Sequence, residues 1–182
     1  MELNHSLRLA FCSVVTALGT AVMFLTGMIP VGTYALPAFA GILMISVVAE
    51  AGTGWAFSVY AAQSILSVLL AADKEAVLFF VLFFGYYPIL KSLLENHLRR
   101  IELQTAVKLI VFNAAAVLDF CLSVAFLSVP KESFSIFGYY LPWLFLLAGN
   151  VVFLIYDYAV SLLVITYFSR IHPMIKKLFR SK

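Results

Sequence analysis

Two acids stand deep inside otherwise apolar runs, Asp119 and Asp157. A carboxylate at such a depth is costly unless it meets a cation, donors or a wet cavity. Each lies eleven residues from an apparent helix end, Lys108 for Asp119 and Phe168 for Asp157. At 1.5 Å per residue this puts both at about 16 Å depth and at one level. The chemistry open to them is binding a substrate or ion, or holding helices together by hydrogen bonds. Around Asp157, Trp143 and Asn150 recur at seven-residue spacing, and Ser161 follows one turn later. One helix face thus carries an aromatic, an amide and an acid. It would suit a small polar molecule with a flat ring, or equally a polar seam between helices. Tyr60, Gln63, Ser64 and Ser67 form a second polar side, with Gln63 near the depth of the acids. Tyr34, Tyr139 and Tyr140 are expected at the outer interface, where Tyr collects whatever the function, and Tyr34, Tyr139 and Gln63 join Trp143, Asn150, Asp157 and Asp119 as candidate substrate-binding residues.

A third pattern is steric. Ala10, Ser13, Ala17 and Ala21 share one side of the first apolar segment. Ala17-x-x-x-Ala21 would let another helix backbone approach closely, within this chain or from another protein.

The elements that position these residues follow from composition. The chain has 182 residues, 64% of them hydrophobic and 12% charged. A soluble domain has about twice that charged share, so these residues cannot cover a water-exposed globule. A soluble enzyme and a disordered chain are excluded, and the net charge of +3 gives no footprint for nucleic acid. The expected fold is all-α: a polytopic membrane protein, one transmembrane domain over 1–182, a bundle of six helices. Their expected ranges are about 7–29, 35–49, 52–71, 75–91, 106–128 and 140–169, with the polar stretch 95–104 outside the hydrocarbon. With both termini in the cytoplasm, ten of the twelve Lys and Arg fall inside and only Lys74 and Lys131 outside. Pro88 should loosen the fourth helix, and Lys91 should snorkel to the interface in preference to pairing with Glu50. Cys12 and Cys121 read as small hydrophobes rather than a disulfide or a metal site.

No enzyme motif is present: no His-Glu-x-x-His, no Gly-x-Ser-x-Gly and no phosphate loop. His5, His97 and His172 do not cluster. Tyr156-Asp157 matches half of an intramembrane aspartyl protease signature, but the companion Gly-x-Gly-Asp is missing. Neither catalysis nor a metal or cofactor is expected.

The Ala17-x-x-x-Ala21 element, six spans and a basic tail resemble the substrate-binding S component of energy-coupling factor (ECF) vitamin transporters. The stretch from Glu50 to Lys91, with Gly52, Tyr60, Ser64, Asp73-Lys74-Glu75 and Gly85-Tyr86-Tyr87-Pro88, is similar to S-component-like proteins. The resemblance implies a subunit of the bacterial plasma membrane that captures a vitamin or similar nutrient from outside. The loop at about 27–34 would cover the site, and Trp143 and Asn150 would lie in it, with Asp157 deeper. The first helix would dock on a membrane T subunit driven by two ATPases. The alternatives are a small multi-span scaffold protein, or an ion- or proton-coupled carrier using Asp119 and Asp157.

Overall fold

The computed structural model describes residues 5–29, 32–126, 135–136, 139–140 and 142–173. It is helical apart from a two-residue antiparallel pairing in which Ser135 faces Tyr140 and Ile136 faces Tyr139. Six helices are long and apolar enough to cross a bilayer, as a multi-pass membrane protein requires. Many large apolar side chains point outward, among them Leu18, Leu69, Ile110, Val152 and Ile165. Such a surface suits lipid rather than water.

Helix α1 runs His5–Leu25, α2 Gly32–Glu50 and α3 Thr53–Leu70. The α2–α3 corner is tight because Gly52 takes a left-handed φ of 91°, which a side chain would strain. Its N–H and that of Ala51 both donate to the Val47 carbonyl, at 3.1 and 2.8 Å, closing α2. Helix α2 starts three residues earlier than expected, which moves Pro37 from its first turn into its second. Lacking an N–H, Pro37 leaves the Thr33 carbonyl without its helical donor.

The fourth span is continuous over Lys74–His97 but composite. It joins α4 (Lys74–Phe79), a π-helical run (Phe80–Phe84) and α5 (Tyr87–His97). Asp73 caps α4: its Oδ1 accepts from the Ala76 N–H at 3.1 Å, and its Oδ2 from the Thr33 hydroxyl at 2.7 Å. Pro88 sits in the first turn of α5, where its missing N–H does no harm. The irregularity expected at Pro88 is therefore displaced upstream, into the π run and the Gly85–Tyr86 turn. Helix α5 also continues through 95–97, residues expected outside the hydrocarbon. A three-residue corner, 98–100, then leads to α6 (Ile101–Phe126), and α7 spans Pro142–Thr166 before a π-helical end at Tyr167–Ile171.

The core is built in three groups. Cys12, Val15, Met44, Val47, Val59 and Ile89 join α1, α2, α3 and α5. Met23, Ala40, Ala76 and Phe80 join α1, α2 and α4 with the start of the π run. Phe83, Tyr87, Ala115, Phe153 and Val160 bring α6 and α7 onto the fourth span, with the Phe112 and Phe153 rings stacked at 4.8 Å. Both cysteines are free, Cys12 buried and Cys121 exposed.

Candidate functional site

The end of the bundle carrying the α5–α6 corner is called the basic end below, and the end carrying the α3–α4 turn the far end. Near the basic end, α5 offers Tyr87, Lys91 and Glu95, which recur at i, i+4 and i+8 and so share a face. Helix α6 adds Lys108 and α7 adds Asp157. Lys91 pairs with Asp157 and with Glu95, the latter at 2.9 Å. Lys108 lies 2.9 Å from Glu95 and 3.3 Å from Asp157. The Tyr87 hydroxyl donates to Asp157 at 2.5 Å. Both lysines are 3% exposed. Two buried ammonium groups are thus balanced by two carboxylates, the condition under which charge survives out of water.

This corrects two expectations. Lys91 does not snorkel; it turns inward, because Asp157 and Glu95 solvate it better than lipid headgroups could. Glu50, its other candidate partner, instead accepts from the Tyr167 hydroxyl at 2.9 Å and lies 2.7 Å from His172 Nδ1. The two acids are also not at one level. Asp157 meets Lys108 itself, and Asp119 stands eleven residues further along α6, about 16 Å away. The count failed because Lys108 is a buried counterion, not a marker of the membrane boundary.

Asn150 faces inward, as its stripe requires, but onto a protein partner. Its amide and that of Asn113 on α6 exchange hydrogen bonds of 2.8 and 2.9 Å. Each also donates to its own helix, Asn150 to Leu146 O and Asn113 to Leu109 O, both at 2.8 Å. Trp143 is 62% exposed in the first turn of α7 and is not gathered with Asn150 and Asp157 around a common space. Gln63 is fully buried on α3 against Gly19 of α1, with neither amide atom hydrogen-bonded. It packs in the α1–α3 contact, away from the α6–α7 pair. The Tyr139 backbone lies in the short antiparallel pairing, and its side chain is outside the described residues.

At the far end, Tyr34 is exposed and its hydroxyl donates to Glu75 at 3.4 Å. Asp119 is 8% exposed, and its Oδ1 has no hydrogen-bond partner. A cavity of about 350 Å³ opens between the α1–α2 turn and the α3–α4 turn, lined by Thr26, Gly27, Met28, Ile29, Thr33, Ala72 and Asp73. A second cavity, about 290 Å³, lies beside the charge network, with Lys91, Ser92, Glu95 and Asn96 on one wall and apolar residues of α2 and α7 opposite. Ala10, Ser13, Ala17 and Ala21 all face outward on α1, while Cys12, Val15, Gly19 and Met23 bury the other side.

Sequence reasoning missed Lys91, Lys108 and Tyr87 as partners of Asp157, Glu95 as the second acid on the two lysines, and Asn113 as the partner of Asn150. The Lys91/Glu95 spacing was a readable signal for one ion pair. Nothing in a single chain's spacing says which helix supplies the rest. Compared with known protein families, with curated proteins and with solved structures, the chain matches none of them.

Proposed function

We propose that this chain is a substrate-binding membrane subunit resembling an ECF S component. It takes a vitamin-like small nutrient at the far end, read as the outer face, and docks through α1 on a T subunit served by two ATPases. Its own chemistry is recognition, with no bond made or broken. The observation that carries the reading is the division of α1 into two faces. One is buried in the bundle, and the other presents Ala10, Ser13, Ala17 and Ala21 uncovered. A helix already packed on one side, with a flat small-residue track on the other, is suited to a second membrane protein.

The far-end cavity favours a binder over a scaffold. Gly27, Met28, Ile29 and Thr33 on its wall belong to the segment, about 27–34, expected to cover the site, and its volume of about 350 Å³ is of the order of small-ligand sites, though it is open to the outside. The binding residues expected on α7 are redistributed in this reading. Asn150 and Asp157 hold α7 onto α6 and α5, and recognition passes to the polar groups that line the far-end cavity, Thr26, Thr33 and Asp73. A carrier using both acids is disfavoured because Asp157 is saturated by two lysines and Tyr87.

The test is mass spectrometry of small molecules released from the purified full-length protein. The expected result is one nutrient-sized compound in near-stoichiometric amount. Release of nothing above an empty-nanodisc control, from protein grown in rich medium, would leave the scaffold reading in its place.

A further inference from the structure

The cavity beside the charge network is a gap between α2 and α7, floored by α5. Its walls are apolar, with Ile45 and Val48 from α2 and Val160 and Val164 from α7. Its polar groups all belong to α5 and gather toward the basic end: Lys91, Ser92, Glu95 and Asn96. Lys91 is 3% exposed and has three N–H donors, two of them spent on Asp157 and Glu95. Glu95 meets both lysines through Oε1, at 2.9 Å each. Its Oε2 accepts no hydrogen bond among the described residues, and its side chain is 42% exposed. The Asn96 amide is exposed and reaches Ser92 only at 3.4 Å. Two further charged groups stand close by in the chain. Glu50, next to Ala49 on the cavity wall, is met by Tyr167 and His172. Arg99 and Arg100, both exposed, follow in the α5–α6 corner.

We infer that this gap holds one phospholipid with an ethanolamine headgroup, its ammonium on Glu95 Oε2, its phosphate on Lys91 and Asn96, and one acyl chain between α2 and α7. The site is separate from the far-end cavity and does not depend on the nutrient-binding reading. Two lysines and two carboxylates already cancel, so a ligand with net charge would unbalance a largely buried network, and a zwitterion would not. The unspent Lys91 donor and the Asn96 amide suit a phosphate, with Arg99 and Arg100 beyond them. Those cations would serve the phosphate of any phospholipid, so selectivity rests on Glu95. Its unspent oxygen calls for an N–H donor, which ethanolamine has and choline lacks. A glycerol headgroup can donate O–H but brings a net negative charge. An apolar inner part leading to a polar mouth at the basic end also follows the lipid's own order from chain to headgroup. A volume of about 290 Å³ is small for a ligand site, with room for part of one chain and not for two.

The test uses the full-length protein purified from membranes that contain both phosphatidylethanolamine and phosphatidylglycerol. Native mass spectrometry reads the lipid it retains. The protein is then stripped in detergent and placed in nanodiscs of phosphatidylcholine alone, or of phosphatidylcholine mixed with either of the other two, and its thermal unfolding is followed. Ala49→Phe and Ser92→Leu each push a side chain into the gap from a different helix and leave the lysine–carboxylate pairs intact. The expected result is one phosphatidylethanolamine retained per chain, and an unfolding midpoint about 4 °C or more higher with that lipid than with phosphatidylcholine alone or with phosphatidylglycerol. Each variant should retain about tenfold less lipid. A midpoint with phosphatidylglycerol at least as high as with phosphatidylethanolamine overturns the ethanolamine assignment. Equal midpoints in all three lipids overturn the headgroup contacts. No lipid retained by the natural chain, or undiminished retention by a folded variant, overturns the site. The comparison of lipids on the natural chain stands even if neither variant folds.

Discussion

Replacing Asp157 by Asn removes one negative charge from the centre of the α5–α6–α7 network and little volume. Lys91 and Lys108 would then share Glu95 alone, leaving one net positive charge on side chains that are 4% exposed. Breaking a buried pair from one side costs about 3–5 kcal/mol, because the surviving charge stays desolvated. For a chain of this length, each kcal/mol moves the midpoint by about 2–4 °C, so the fall should be about 6–20 °C. Thermal unfolding of the purified protein in one detergent reads it. Charge balance makes a sharper claim: adding Lys91→Met to Asp157→Asn leaves Lys108 with Glu95, which are 2.9 Å apart. That double variant should regain at least half of the lost stability. A single variant within about 1 kcal/mol of the natural chain, or a double variant as damaged as the sum of its parts, would refute the reasoning.

Other expectations concern packing and assembly. Asn150→Ala should cost about 1–2 kcal/mol by orphaning the Asn113 amide, and Asn113→Leu with Asn150→Leu should cost less than the single change; the opposite order in a denaturation series would remove the amide pair's structural role. A Cβ on Gly41 would collide with the Phe84 carbonyl oxygen in the π run, so Gly41→Ala should lose about 1–3 kcal/mol. An unchanged melting curve for it would mean that α2 does not approach the π run that closely. Ala17→Leu with Ala21→Leu should stay within about 0.5 kcal/mol of the natural stability, since both face outward, yet abolish nutrient uptake; uptake at the natural rate would remove the docking face.

Much of the fold was legible because hydrophobic run lengths and breaks do not depend on tertiary partners. The uncharged stretches 9–49, broken by Gly27, Pro30, Gly32 and Pro37, and 51–72, before Asp73-Lys74-Glu75, map onto α1, α2 and α3 to within a few residues. The fourth span was read too short, since Lys91 and Glu95 look like an exit from the bilayer when each is counted alone. Paired with Lys108 and Asp157, they neutralise each other and the helix continues to His97. The α7 stripe was half legible: seven-residue spacing correctly turned Asn150 and Asp157 inward, but it carried no information on whether a ligand or another helix would meet them. Trp143 shares the spacing yet lies in the helix's first turn, 62% exposed. Asp119 was visible as a deep acid, whereas its burial with Oδ1 short of a partner depends on how neighbouring helices pack on α6, which no local pattern encodes.

The central claim is that this chain works as a docked, nutrient-binding subunit, and affinity purification from native membranes in mild detergent tests it most directly. Tagged protein should bring down one further polytopic membrane protein and two ATPases in fixed ratio, and the Ala17→Leu, Ala21→Leu variant should bring down none of them. Recovery of the chain alone, or the same partners with the altered α1, would contradict it.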